Sequence, residues 1–401
     1  MKIIAIAFRY LTSRPLAAGL NLLLLTLGLA SITFVLLVST QLDRAFERDL
    51  AGIDVVVGAK GSPMQLILAG VFHIDVPTGN IPLEAVRALE KNPQVAQLIP
   101  ISLGDTYQGF RIVGTTPAYA DHYGANLAQG TMWTQPMQVV VGAQVASNTG
   151  LAVGSSFSGS HGLGGKGHAH GDNPYRVTGV LARCGCVLDR LMLTPTESVW
   201  QVHEKATALD AEDQKIMEAE REITLALITY KSPLAAVTFP RFINTTTEMQ
   251  AAAPAVEVTR LLRMVGVGTD VLRGFGAVLL LTAGLSVFIA LWNAVRERQA
   301  DLAMLRMLGA SPAKVAGLVL CEALLLALVA IAVGLSLGHV LTQVAGYWMQ
   351  TERSLPLTGW IWLSAEGWLP AMGVGVALLA ALLPALGAYR LDVTTLLNSR
   401  G

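Results

Sequence analysis

The sequence predicts a membrane α-helical protein with four transmembrane helices and a large extracytoplasmic α+β domain between helices 1 and 2. Three observations predict it. Only 14% of the 401 residues are charged, against about 25% in soluble globular domains, so part of the chain is solvated by lipid. The charges are segregated, and they leave four runs, uncharged or nearly so, that are long enough to cross a bilayer. Between the first and second runs lies a long stretch in which short apolar segments alternate with turn residues. Lys plus Arg and Asp plus Glu are equal at 28 each, so no bulk charge attracts nucleic acid and no nucleic-acid partner is expected.

The spans follow from length. A helix rises about 1.5 Å per residue and the hydrocarbon core is about 30 Å thick, so roughly 20 apolar residues cross it. Residues 1–42 hold the N-terminus and helix 1, with no ionisable side chain from Pro15 to Leu42. Lys2, Arg9 and Arg14 precede this run as they would in a secretory leader. The run far exceeds the roughly 7 to 15 apolar residues of such a leader, and no small-x-small cleavage site follows, so it reads as retained. Helix 2 is 274–295, helix 3 is 315–345 with Glu322 in its early turns, and helix 4 is 367–389 with Pro384 near its end.

Short flanks set orientation through their Lys and Arg. The N-terminal flank, the 296–314 connector (Arg296, Arg298, Arg306, Lys314) and the 390–401 tail (Arg390, Arg400) are basic. The 346–366 loop balances Arg353 with Glu352 and Glu366, and Trp348, Trp360, Trp362 and Trp368 in and beside it suit a membrane interface. Both termini are therefore expected in the cytoplasm of a multi-pass inner-membrane protein. Residues 43–273 then face outward, into the periplasm in a Gram-negative cell.

Within 43–273, Ile53–Val57, Ile112–Gly114, Val139–Gly142 and Arg176–Leu181 read as strands. Pro82–Asn92 reads as a helix with Pro in its first turn, and Val199–Glu222, rich in Ala, Glu, Lys and Gln, as another. Pro254–Arg273 reads as a helix running into helix 2, and Leu42–Leu50 as an extension of helix 1. Together they predict a stalk between the domain and the membrane.

The segment Ser155–Asp172 is rich in Gly and Ser and carries His161, His168 and His170; Cys184 and Cys186 follow. Imidazoles and thiolates suit zinc or copper, although no standard zinc spacing is matched. Two readings stand: a metal site, linking the protein to metal handling, or a solvated loop beside a cysteine pair that is free, oxidised or cross-strand. His73 and His122 are isolated and read as structural. Glu322 lies only about 12 Å along the helix from Lys314, which reads as a packing role near the interface rather than ion translocation. Gly334 and Gly338 form a G-x-x-x-G, and these with Gly373 and Gly375 read as close helix packing; Cys321 reads as an apolar core residue. No P-loop occurs: Gly162–Gly167 has neither the spacing nor the hydroxyl residue. No Ser-His-Asp, paired-carboxylate or zincin pattern marks an enzyme.

In the connector, Leu302, Leu305 and Leu308 recur at helical spacing, Gly309 is placed to end the helix, and Ser311-Pro312 to start the next. From physics alone this is either a basic link or a helix that docks on a soluble partner. The run Asp-Leu-Ala-Met-Leu-Arg-Met-Leu-Gly-Ala-Ser from Asp301, followed by an apolar helix with Glu322 early in it, resembles the permeases of the MacB, LolC/LolE and FtsX type of ABC transporter. So does the C-terminal run Leu383–Val393 with Leu396-Leu397, and so does the order of one span, a large external domain and three spans.

The resemblance implies a permease subunit, not an enzyme, with no cofactor of its own. It implies pairing with a second permease copy, identical or not, and with cytoplasmic ABC ATPase subunits that bind ATP and Mg. A periplasmic or lipoprotein partner and membrane lipid complete the expected contacts. Carried over by position, Arg296, Arg298, Asp301, Leu302, Leu305, Arg306, Gly309 and Ala310 would contact the ATPase, whose motion the stalk would relay outward to move or extract a substrate. Two alternatives remain at this point: an FtsX-like subunit that activates an external hydrolase, and a free-standing metal sensor.

Overall fold

The structure, a computed structural model, describes residues 3–13, 15–161, 174–207, 220–351 and 357–391. The chain divides into two compact units, residues 1–43 with 264–401, and residues 44–263. Helices α1 (Ile3–Thr12) and α2 (Pro15–Leu50) come first. Then follow β1 (Val55–Ala59), α3 (Pro63–Gly70), β2 (Ile81–Pro82), α4 (Leu83–Glu90), β3 (Val95–Tyr107), β4 (Phe110–Thr115) and α5 (Ala118–His122). Next are β5 (Leu127–Gly130), β6 (Gln138–Val141), α6 (Ala143–Thr149), β7 (Ser156–Phe157), β8 (Ser160–His161), β9 (Tyr175–Leu181), β10 (Leu191–Pro195) and α7 (Thr196–Thr207). The remainder is β11 (Glu222–Ile223), β12 (Leu225–Tyr230), α8 (Ala235–Thr246), β13 (Met249–Ala252), α9 (Pro254–Glu297), α10 (Gln299–Met307), α11 (Pro312–Thr351) and α12 (Trp368–Tyr389).

Among the described residues, four helices are long and apolar enough to cross a membrane: Pro15–Leu50, Pro254–Glu297, Pro312–Trp348 and Ser364–Tyr389. Their inner faces share one core that includes Leu25, Leu29, Ala283, Val287, Ala323, Ala327 and Ala381. Leu16, Leu20, Leu23, Phe275, Leu281, Leu285 and Leu379 stand exposed on the outside. A contiguous apolar exterior of this kind is solvated by lipid rather than water. Lipid supplies no hydrophobic drive between helices, so close packing of small residues holds them together. A Cβ on Gly334 would lie 3.0 Å from the Thr26 carbonyl oxygen, and one on Gly338 2.6 Å from Cβ of Thr33, so α11 lies directly on the α2 backbone. Gly373 meets Ile331 in the same way, whereas Gly375 has nothing within 4 Å and takes no part in the packing expected of it.

The segment between α11 and α12 is tied down by polar side chains. Gln41 donates to the Thr358 carbonyl at 3.0 Å and accepts from its N–H at 2.9 Å, as a strand partner would. The fully buried Glu366 accepts the Leu363 N–H at 2.9 Å and faces His339 Nε2 at 2.8 Å, and His339 Nδ1 meets the Gly359 carbonyl at 2.7 Å.

Residues 44–263 form an α+β domain. Its sheet runs β13-β1-β12-β3-β4-β10-β6-β9-β5, with β7 beside β9 and β8 beside β3, and β2 pairs separately with β11. All pairs are antiparallel except β10 with β4 and β6 with β9. The 13-residue β3 joins two halves: Val95–Ile101 pairs with β12, and Ser102–Tyr107 pairs with β4 across a register shift between Leu103 and Thr106. Each half has its own core. In one, α4 and α8 bury Val86, Leu89, Phe239 and Ile243 against Val55, Val57 and Ile228; the other gathers Ile112, Val139, Val141, Tyr175, Val177 and Met192.

The expected strand at Ile53–Val57 lies at Val55–Ala59, and the expected helix over 199–222 is Thr196–Thr207, with 208–219 outside the described residues and β11 at its far end. Boundaries expected at 42/43 and 273/274 fall inside the unbroken helices α2 and α9. The last turn of α2 belongs to the domain unit. Tyr123 donates to the Asp49 carbonyl at 2.7 Å, His122 Nε2 lies 2.9 Å from the Ala51 carbonyl, and Phe72 packs edge-on to Phe46. These contacts satisfy carbonyls that a helix end leaves unpaired.

Behind this end, the buried His73, at φ 55°, meets the Tyr119 hydroxyl at 2.9 Å. Burial, with Arg111 nearby, pushes its pKa well below the usual histidine value. The unfolded chain therefore takes up this proton first as pH falls. The stability that the neutral ring contributes is complete above pH about 6.5 and is lost below it, by about 1.4 kcal/mol per pH unit at most. His73→Asn, which tolerates the same backbone, is expected to flatten that slope in unfolding midpoints measured between pH 5 and 7. In the membrane unit, Gly338→Val is expected to part α2 from α11 at a cost of about 1–3 kcal/mol, read as a lower thermal midpoint in detergent. Gly375→Val, in open space, is expected to leave that midpoint in place.

Candidate functional site

The connector between the second and third spans is a short helix set at a fixed angle by its ends. Arg298 is the cap of α10. At the other end Gly309 adopts φ +94°, its N–H donates to the Arg306 carbonyl, and the Ala310 N–H reaches the Leu305 carbonyl, both at 3.0 Å. This paired closure requires a left-handed residue, which glycine provides without steric cost. Pro312 then opens α11, where Lys314 and Val315 donate back to the Ser311 carbonyl.

The inner face of α10 is clamped. Leu302, 2% exposed, and Ala303 sit in the core shared with Val315, Leu318 and Val319. Arg298 Nη1 lies 3.1 Å from Glu322 Oε1, with the two side chains only 12% and 6% exposed. Its Nη2 donates to the Tyr10 carbonyl at 3.3 Å, and its guanidinium stacks 4.0 Å from the Tyr10 ring centroid. One arginine thereby ties α10 to both α1 and α11. Its charge is paired, hydrogen-bonded and stacked, as a buried guanidinium requires. Arg306 donates to the Leu391 carbonyl just beyond α12. The ion pair borders a cavity of about 170 Å³ that also meets Asn21 and Asn293.

Among the described residues, the outer face carries no such partners. Met304 is 51% exposed, Met307 56% and Leu308 85%, and the exposed Asp301 and Gly309 flank them. Of the residues expected to make a partner contact, Arg296, Asp301 and Gly309 are exposed, Leu305 and Ala310 are half-buried, and Arg298, Leu302 and Arg306 point inward. The helical repeat that turns 301, 304 and 308 outward turns 298, 302 and 306 toward the core, where they have partners within the chain. Met304, Met307 and Leu308 are the exposed apolar residues of this helix. The sequence signal was ambiguous because both faces of α10 are apolar, and periodicity does not say which one is covered.

The remaining candidates are scattered. Glu322 is the partner of Arg298, and Gly334 and Gly338 meet α2. Cys184 and Cys186 are joined as a disulfide, so neither sulfur is a thiolate able to bind metal, and that part of the expected donor set is corrected. His161 ends β8 opposite Asp105, while His168 and His170 lie outside the described residues. Among the described residues no three His, Cys, Asp or Glu side chains gather closely enough to hold an ion.

Two family models match the chain. Residues 18–231 match the MacB-like periplasmic core domain, and residues 273–393 match the FtsX-like permease C-terminal region. No curated protein matches. Among solved structures, the periplasmic region of MacB from Actinobacillus actinomycetemcomitans is 13% identical with a TM-score of 0.35, and the match covers 53% of this chain and 95% of that one. The extracellular domain of the noncanonic ABC-type transporter YknZ from Gram-positive bacteria is 13% identical with a TM-score of 0.31, covering 49% of this chain and 98% of that one.

The clamp has a measurable consequence. Arg298→Ala strands the buried Glu322 charge and is expected to cost about 3–5 kcal/mol, seen as a large fall in the thermal midpoint of the detergent-solubilised protein. Pairing Arg298→Met with Glu322→Leu is expected to recover most of that loss, since two apolar side chains leave no charge unpaired.

Proposed function

The chain belongs to the FtsX-like permeases with a MacB-like periplasmic core domain, and from that premise we propose that it couples a cytoplasmic ATPase to work done outside the membrane. The chain is a multi-pass membrane protein of the ABC transporter permease class. On our reading the ATPase seats on the outer face of α10, through Asp301, Met304, Met307 and Leu308. That face carries the proposal. It is apolar, exposed and rigidly backed by the Arg298–Glu322–Tyr10 clamp, so force applied to it reaches the spans instead of bending a loop.

The route outward runs along α2 and α9. Each is an unbroken helix, of 36 and 44 residues, with residues in both units. A continuous helix transmits a push along its axis because all its backbone hydrogen bonds lie along that axis. The domain then moves or extracts its substrate on the outer side of the inner membrane, with a second permease copy completing the transporter. Two features support this orientation: the connector is basic, which favours the cytoplasm, and the Cys184–Cys186 disulfide suits an oxidising compartment.

Burying Met304, Met307 and Leu308 in a cleft would contribute about 1.5–3 kcal/mol for each side chain fully covered. Met304→Asp with Leu308→Asp is therefore expected to weaken co-purification of the co-expressed ABC ATPase by at least about 100-fold, with membrane insertion unchanged. Undiminished co-purification would remove the docking face. Reporter fusions at Met304 and Gly150 test the orientation, with the first expected inside the cell and the second outside.

A further inference from the structure

The loop after β9 carries chemistry that the coupling reading leaves unused. Cys184 and Cys186 form a disulfide across the single residue Gly185, which takes φ +67°. A bond that spans one residue ties no two elements together and closes almost no loop, so it constrains the unfolded chain very little. Other groups already hold the loop. Asp189 Oδ1 accepts the Cys184 N–H at 3.0 Å, and its Oδ2 accepts the Gly185 N–H at 2.7 Å. The Val187 N–H donates to Asp49 Oδ1 at 3.1 Å. Opening the disulfide leaves these three bonds in place, so the loop keeps its shape when reduced.

The two cysteines differ in exposure. Cys184 is half-exposed, whereas Cys186 is 8% exposed. The Cys186 N–H points at Cys184 Sγ from 3.1 Å, a donor ready for negative charge on that sulfur. The Arg48 guanidinium covers Gly185, since a Cβ placed there would lie 3.3 Å from its Nη1. Asp189 Oδ1 also lies 3.5 Å from Cys184 Sγ, and the guanidinium over the loop and the Cys186 N–H offset that carboxylate for an approaching thiolate.

We propose that Cys184–Cys186 is a thiol–disulfide exchange site whose partner is an external dithiol. The dithiol's thiolate attacks Cys184 Sγ, the Cys184–Cys186 bond breaks, and its electron pair leaves on Cys186 Sγ, which takes a proton. The second sulfur of the dithiol, losing its proton, then attacks the mixed disulfide and releases Cys184 as a thiolate that is protonated in turn. Two electrons and two protons pass to the chain, and the dithiol becomes a disulfide; the reverse reaction reoxidises the site. Through Val187 and Asp49 the loop meets the last turn of α2, so the reaction takes place beside the helix proposed to carry motion.

The test uses the full chain in detergent, with dithiothreitol as the dithiol. Native protein is expected to be reduced at a rate within about tenfold of the urea-unfolded chain, to keep its near-ultraviolet circular dichroism, and to be reoxidised by glutathione disulfide. Protection beyond tenfold, or loss of fold on reduction, would overturn the proposal, because either marks a structural bond. In single variants, Cys184 of Cys186→Ser is expected to take up glutathione from its disulfide at least about tenfold faster than Cys186 of Cys184→Ser. Equal or reversed rates would overturn the assignment of Cys184 as the entry sulfur. Neither readout involves ATPase binding, so failure here leaves the docking face untouched, and the converse also holds.

Discussion

At membrane depth no water is available to satisfy a polar group, and that demand places the strongly polar side chains of the spanning unit. Arg298 is pulled onto Glu322 and the Tyr10 carbonyl, His339 onto Glu366 and the Gly359 carbonyl, and Gln41 onto the Thr358 backbone. Asn21 and Ser286 pair at 2.6 Å across α2 and α9. Each finds a partner on another element, because an unpaired polar group in hydrocarbon costs several kcal/mol. The spans supply apolar packing without preferred partners, and these few bonds select the arrangement. Thr26 is an exception, its hydroxyl buried without a partner where Gly334 presses on the α2 backbone.

The Arg298 pair has the widest reach. It converts a short connector helix into a rigid part of the spanning unit, and its geometry sorts the two faces of that helix. Residues at one helical phase become the clamp, and residues at the other stay exposed. The carboxylate in the early turns of α11 therefore helps to fix the connector against the spanning unit.

In the domain, β3 plays the corresponding part. Its first half completes a sheet with β12, β1 and β13, and its second half opens another with β4, β10, β6, β9 and β5. The two cores are thus joined by covalent backbone. The end of α2 is seated by the His122, Tyr123 and Asp49 contacts, and the disulfide loop lies against that same turn.

The four spans, the order of elements and the family were readable from residues 1–401 alone, because hydrocarbon length and charge segregation are properties of the linear chain. The strands around Val55, Ile112, Val139 and Val177 were equally plain from their β-branched runs. The long β3 was not: Pro100, Gly104 and Asp105 interrupt its apolar pattern, and it is held extended by pairing with β12 and β4. Helix α8 hid behind Pro240, which its neighbours accommodate through tertiary packing. At the candidate site, the sequence alone determined that a short apolar and charged helix follows the second span and ends at Gly309. Which of its faces is covered, that Arg298 belongs to the clamp, and that Cys184 and Cys186 bond to each other were decided only in three dimensions. For the helix, burial and pairing depend on what lies across space, and periodicity specifies a face without naming its neighbour; for the cysteines, spacing allows the bond and only the local backbone, with Gly185 at φ +67°, brings the sulfurs together.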